Sequence, residues 1–409
     1  MISKRKAVLW SVILVFISSI VTFTVGNIIQ ISVGDKVIIA KREVNKLTNT
    51  YEKYAKAMAL ENFINENYLN DISEKEMMDG QLKGMFESLD DPYSVYMTED
   101  EFNNFMEHTK GSYGGIGVIV TPGEDNMITV VSPIEDTPGY RAGFKPGDKI
   151  IKVNGEEFTA DKLDDAIKIM KGEPGTEVNI TVMRRDGEGK PNYIEMPITR
   201  EEIRLESIKS KMLSDDIGYI RIIQFDELVY DDFIEHYEAL KNEGMKGLII
   251  DLRNNPGGLL DKCVDIADKL IGKSVVVYTE TKSGDREYFK SDSDKINIPY
   301  TVLINEGSAS ASEILAGAVK DTKSGTLIGT KSFGKGIVQR INQLPDGSGF
   351  KLTVSKYFTP NGVSIHGEGI TPDIIVPIPE DVDQIGLDNL NQDTQLKKAI
   401  EEVKEKMNH

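Results

Sequence analysis

Past about Pro191 the chain alternates short apolar runs with amphipathic stretches, and this alternation restricts the fold more than any other feature. Tyr219 to Ile223 reads as a strand, Tyr230 to Asn242 as a helix, Gly247 to Leu252 as a buried strand and Gly258 to Ile271 as a helix. Val275 to Tyr278 and Thr301 to Asn305 follow as strands, then a helix from Ser312 to Asp321 and a strand from Thr326 to Gly329. Uninterrupted apolar strands separated by helices imply a sheet covered by those helices, with any site at the carboxyl ends of the strands.

The preceding stretch has a different texture. Gly114 to Val120, Met127 to Val131 and Lys145 to Gly155 are short strands punctuated by Gly, a Pro-Gly-Asp turn and an Asn-Gly turn. One helix, marked by Leu163, Ala166, Ile167 and Met170, precedes a strand from Glu177 to Met183. Together these predict a compact β-rich domain. Further back, Val44, Leu47, Tyr51, Tyr54 and Met58 recur at spacings of 3 and 4, a helical seam. A second helix through Met77, Leu82, Met85 and Phe86 closes before Pro92. The seam, with a C-terminal helix around Leu396 to Val403, is an expected pairing surface for a homodimer, and packing within its own domain explains the seam equally well.

At the N-terminus, Lys4, Arg5 and Lys6 precede 19 uncharged residues, Ala7 to Val25, and the uncharged run continues to Val33. A helix of that length crosses a hydrocarbon core of roughly 30 Å. A cleaved signal has an apolar region of only about 7–15 residues, and no clear A-x-A site follows. The expectation is therefore a retained single-pass cell-membrane anchor with its basic flank inside and Gly34 onward outside the cytoplasm. The segments expected are the flank and anchor (1–33), a helical region (34–100), the β-rich domain (101–190), the β/α core (191–380) and a C-terminal helical segment (381–409). A formal net charge of −18 argues against a duplex nucleic-acid partner, and a single cysteine, Cys263, excludes a disulfide framework or cysteine-rich zinc site.

Chemistry concentrates in Asn305 to Ala318, where an apolar strand meets a helix through small residues. A serine on such a sharp turn is lifted to the sheet edge with a helix N-terminus behind it. Plain N-capping by Ser308 or Ser312, with Glu313 in the favourable first turn, accounts for the segment as well. A nucleophilic serine needs a base. Of the four histidines, His409 is terminal, His236 lies on an acidic helix and His108 precedes a different domain, which leaves His366. Lysine is the alternative, if burial lowers its pKa enough to supply a neutral amine. Lys335 is that candidate, with glycines on both sides and Gln339 four residues on to orient the amine.

Gly329 with Gly334-Lys335 also satisfies the first part of a phosphate-loop pattern. The pattern then fails, because Gly336 carries no hydroxyl and Ile337 to Ile341 reads as a strand. Asp251 to Leu260 ends a strand in a Gly-Gly turn whose N–H groups could meet a developing oxyanion, though an ordinary strand-to-helix turn looks the same.

The segments Leu89 to Ser94, Gly114 to Gly117, Asp251 to Gly258, Ser308 to Gly317, Phe333 to Gln339 and Gly367 to Asp373 occur in one order across nearly the whole chain beyond the anchor. In that set and order the chain resembles the C-terminal processing peptidases, or tail-specific proteases. The resemblance implies a mixed α/β and β architecture: anchor helix, helical segment, inserted PDZ-like domain and a β/α protease core with a Ser-Lys dyad. It implies Ser310 as nucleophile, Lys335 as general base and Gln339 as the residue orienting it. Oxyanion donors would be the N–H groups of Ala311 and of Gly258 or its neighbour Gly257. Asp321 matches a family aspartate whose role stays open, and His366 falls in a segment that is not catalytic in the family. The PDZ-like domain would capture a substrate's C-terminus around Gly115, Ile116, Gly117 and Val118, the peptide adding as a strand. The expected activity is ATP-independent endoproteolysis of proteins or peptides with free C-termini, without metal or other cofactor. The alternative is a PDZ-bearing scaffold that binds tails without cutting.

Overall fold

The structure is a computed structural model that describes residues 3–28, 31–33, 36–38, 41–213, 216–379, 382 and 385–408. Gly34 and His409, both named above, lie outside them. The chain divides into two compact units, Met1–Gly84 and Met85–His409.

The first unit begins with helix α1 (Lys4–Ile28), long and apolar enough over Lys4–Phe23 to cross a membrane. A short hairpin of Ile31–Val33 and Lys36–Ile38 follows, then α2 (Lys41–Asn67). On α2 the side chains of Val44, Leu47, Tyr51, Tyr54 and Met58 are all exposed. Helix α3 (Glu74–Glu87) starts from a capping box in which Ser73 N donates to Glu76 Oε2 at 2.9 Å and Glu76 N donates to Ser73 Oγ at 3.1 Å.

The second unit holds α4 (Glu99–Lys110), α5 (Pro138–Ala142), α6 (Leu163–Met170), α7 (Val229–Asn242), α8 (Leu260–Leu270), α9 (Ala311–Thr322) and α10 (Thr394–Met407). Strands Pro191–Thr199, Glu177–Arg185, Lys149–Val153, Ile128–Pro133 and Val118–Pro122 lie side by side in that order, all antiparallel, around an apolar core that includes Ile128, Ile150, Ile180 and Val182. Beside them, Ser112–Gly115 pairs with Glu201–Arg204.

The principal sheet runs Ile208–Met212, Ile217–Ile222, Gly247–Asp251, Tyr300–Ile304, Thr326–Gly329 and Ile374–Ile375, parallel from the second strand onward. Gly247–Asp251 and Tyr300–Ile304 are buried at every position, which is why they read as unbroken apolar runs. Residues of α7, α8 and α9 cover one face and those of α10 the other. A second antiparallel sheet orders Arg286–Lys290, Val275–Thr281, Gly349–Phe358 and Ile337–Gln343, with Val95–Met97 pairing off Gly349–Phe358.

Two expectations need correction. The helix read from Gly258 starts only at Leu260, because Gly257 and Gly258 have φ of 102° and 143°, outside helical backbone. The C-terminal stripe is not a free pairing surface: Leu396, Ala399 and Val403 are fully buried against Ile217, Ile249, Leu303 and Ile328 of their own chain. Leu396→Ala should therefore cost about 2–5 kcal/mol in urea unfolding, and a loss below about 0.5 kcal/mol would mean that α10 is not seated there.

Candidate active site

The loops after Ile222, Asp251, Ile304 and Gly329 leave the carboxyl ends of four adjacent parallel strands and converge, the place where such sheets hold their chemistry. They are laced together by side chains. Ser308 Oγ donates to Leu252 O at 2.8 Å, Asn305 Nδ2 to Asn254 Oδ1 at 2.8 Å and Asn255 Nδ2 to Ile222 O at 2.9 Å. Arg253, fully buried, holds Asp251 at 2.6 Å and Asp393 at 2.9 Å, so the cap of α10 is tied to the start of the Gly-Gly loop.

Ser310 stands between the strand Tyr300–Ile304 and α9 with φ 54° and ψ −113°. A residue with a Cβ pays for such backbone with roughly 1–3 kcal/mol of strain. Helix α9 itself is almost wholly buried from Ala311 to Val319, so the elbow is fixed to the core.

Glu313, read in the sequence only as a first-turn acid, is the connecting group. Its carboxylate is 0% exposed and accepts from Ser310 N at 2.9 Å, Ser332 Oγ at 2.6 Å, Gly334 N at 2.7 Å and Lys335 N at 2.8 Å. One side chain thus joins the serine elbow to the lysine loop. Tyr357 repeats the connection from the second sheet, its single hydroxyl proton shared between Ser310 O at 3.0 Å and Lys335 O. Burial raises the pKa of that phenol, which keeps it a donor.

Ser310, Ala311, Gly257, Gly258, Lys335 and Gln339 all border one cavity of about 360 Å³. The Lys335 amine lies 4.7 Å from the centre of the Tyr93 ring. Burial, then the positive charge of Lys351, pulls its pKa below the ordinary lysine value. Among the described residues no hydrogen bond joins Lys335 Nζ to Ser310 Oγ, and the Gln339 amide is turned to Ile337 O at 3.4 Å instead of to the lysine. Gly257 N is committed to Asn255 Oδ1 at 2.8 Å. The N–H groups of Gly258 and Ala311 have no protein acceptor among the described residues. A Cβ at Gly257 would come within 2.7 Å of Ser310 Cβ, so only glycine permits this approach.

The histidines divide differently from their order in the sequence. His366 is exposed and outside the cavity, its backbone packed on Gly336. His236 bonds Ser210 at 2.7 Å. His108, set aside above as belonging elsewhere, lies on the cavity wall, because α4 brings Phe105, His108 and Thr109 there. Asp321 accepts from Asn361 N at 2.9 Å and is not on the wall. Ile337–Gln343 is a strand following the Lys335 loop.

The β-rich domain has its own smaller cavity, bordered by Ile116, Gly117, Val118, Ile167, Met170 and Lys171. The N–H groups of Ile116 and Gly117 have no protein acceptor there among the described residues. Gly115 does not border it, being paired with Glu201 in the neighbouring ladder.

A model of peptidase family S41 matches residues 216–376, a PDZ domain model matches 129–184, and a model described as the activating protease CtpB N-terminal domain matches 15–101. A carboxy-terminal-processing protease of Bartonella bacilliformis is 39% identical over 345 residues, which cover 82% of this chain and 78% of that protein. The carboxy-terminal processing protease CtpA of Bacillus subtilis is 35% identical over 380 residues, covering 92% and 78%. Among solved structures, the photosystem II D1 C-terminal processing protease is 28% identical with a TM-score of 0.46, covering 82% of this chain and 88% of that one. Identity of this extent over most of the sequence means that the chain belongs to peptidase family S41, as a C-terminal processing serine protease with a PDZ domain.

Proposed function

We propose that this protein is a single-pass membrane-anchored, ATP-independent endopeptidase that cuts proteins near their C-termini outside the cytoplasm, with Ser310 as nucleophile and Lys335 as general base. The observation that carries the reading is the strained Ser310 elbow sharing a cavity with a half-buried lysine whose amine makes no ion pair among the described residues. Ser310 Oγ attacks the scissile carbonyl as its proton passes to the neutral Lys335 amine. The resulting oxyanion is met by the N–H groups of Gly258 and Ala311. Collapse breaks the C–N bond, Lys335 returns the proton to the leaving amine, and water releases the acyl group by the same route.

A productive contact requires a rotamer change of the long lysine side chain away from the Tyr93 ring, and Gln339, its amide turned from Ile337 O, would hold the amine after it. The domain bounds given above are part of this reading, with α1 (Lys4–Ile28) as the anchor. Tail capture falls to the smaller cavity, where a substrate carboxylate would meet the N–H groups of Ile116 and Gly117 beside Val118. Two experiments test these assignments. Casein or a tagged peptide should be cut by the wild type and not by Ser310→Ala, whereas a scaffold would cut neither way. At subsaturating concentration a free-acid substrate should be cut faster than its C-terminal amide, and equal rates would remove tail capture from the mechanism.

A further inference from the structure

The basic side chains on the catalytic cavity wall are His108, Lys335 and Lys351, and among the described residues no carboxylate lines it. In a chain of formal net charge −18 this is a local reversal of sign. Lys335 has a place in the mechanism. Lys351 does not. It lies on strand Gly349–Phe358 directly across from Ile341, half-buried, its amine 5.3 Å from the centre of the Phe105 ring. No ion pair or hydrogen bond engages that amine among the described residues. An ammonium removed from water without an anion is costly, and burial lowers its pKa accordingly. An incoming carboxylate would offset that cost and form a charge-assisted hydrogen bond.

Resting on the peptidase reading of this cavity, we propose that Lys351 is a specificity-determining residue that recognises a substrate carboxylate a few residues from the scissile bond. Ile337, Val338, Gln339 and Ile341 of one strand, irregular in register between Val338 and Gln339, all border the cavity and lead away from Lys335 toward Lys351. From Ile337 to Ile341 is about 13 Å at roughly 3.3 Å per residue, some four residues of extended peptide, less the reach of the lysine side chain. The preferred substrate is thus an apolar segment bearing one carboxylate at fixed distance, supplied by an acidic side chain or by the free α-carboxylate of a short tail.

Binding of fluorescein-labelled peptides to the full-length Ser310→Ala protein, read by anisotropy, separates these sources. In one set, amidated apolar peptides carry a single Glu moved position by position, each matched by a Gln control. In the other, peptides without Glu end in a free acid or an amide at varied distance from the apolar segment. One arm should bind about tenfold or more tighter than its neutral controls. In the amidated Glu set, which offers the smaller cavity no terminal carboxylate, the gain should fall below about twofold in Ser310→Ala with Lys351→Met and persist with Lys351→Arg; in the free-acid set Lys351→Met should remove only the distance-dependent part of the gain, leaving what the Ile116 and Gly117 cavity supplies. A Glu-dependent gain that survives Lys351→Met, no Lys351-dependent gain in either arm, or equal weakening of acidic and neutral peptides by Lys351→Met would overturn the proposal. Cleavage of the neutral amidated peptide by the wild type tests the peptidase reading separately, so failure of either is seen by itself.

Discussion

Lys335→Ala and Ser310→Ala should each reduce kcat by about 10⁴-fold or more, the scale reached when one member of a nucleophile–base unit is lost, with tail binding intact. The pH dependence distinguishes this lysine from a histidine. Only a neutral amine accepts the serine proton, and an unperturbed lysine, with a pKa of about 10.4, is almost fully protonated at neutral pH. Burial and the Lys351 charge both lower the Lys335 pKa. Activity should therefore rise with pH through a limb lying below the ordinary lysine range, and that limb should belong to Lys335. His366→Gln, at an exposed position outside the cavity, should retain both rate and limb. His108→Gln is the more stringent control because His108 borders the cavity, and it should retain the limb as well. A limb that disappears with either histidine would mean that the base is imidazole.

Glu313 carries the second large effect. Glu313→Ala would leave four donors, Ser310 N, Ser332 Oγ, Gly334 N and Lys335 N, without their acceptor in a site closed to water. Each buried donor left unmade costs about 1–3 kcal/mol. Partial relaxation of the loop should bring the total loss to about 3–5 kcal/mol, with turnover falling at least a hundredfold as elbow and lysine loop separate. Glu313→Gln should be nearly as damaging. Each carboxylate oxygen receives a backbone N–H, and an amide can present oxygen to only one side, so its NH₂ must face a donor whichever way it turns. Urea unfolding with kcat on the same preparations checks both. Near-wild-type turnover in Glu313→Gln would show that the carboxylate does not hold the two loops in register.

Glu313 also marks how far sequence reasoning reached. Residues acting through local conformation were legible: the unbroken apolar strands, the small-residue elbow, the Gly-Gly turn and the lysine flanked by glycines. What could not be read was whatever depends on distant segments meeting. Glu313 looks like a first-turn helix acid until Ser332, Gly334 and Lys335 fold onto it. His108 looks remote until α4 lies on the cavity wall. Lys351 is one polar residue in a strand until Ile341 is opposite. The stripe of Leu396, Ala399 and Val403 was correctly seen as apolar, but periodicity does not say which surface covers it, and here it is the chain's own sheet. Gly115 likewise belongs to a Gly-rich run whose members separate only when the ladder with Glu201 forms.

The central claim, that Ser310 forms the acyl-enzyme with a proton taken by Lys335, is tested most directly by trapping that intermediate. The full-length protein is mixed with a cleavable peptide ester, quenched in acid within the first turnover and digested for mass spectrometry. The wild type should give an acyl adduct on the fragment containing Ser310, Ser310→Ala none and Lys335→Ala almost none. An adduct on another side chain, or Ser310 acylated at an undiminished rate without Lys335, would contradict that claim.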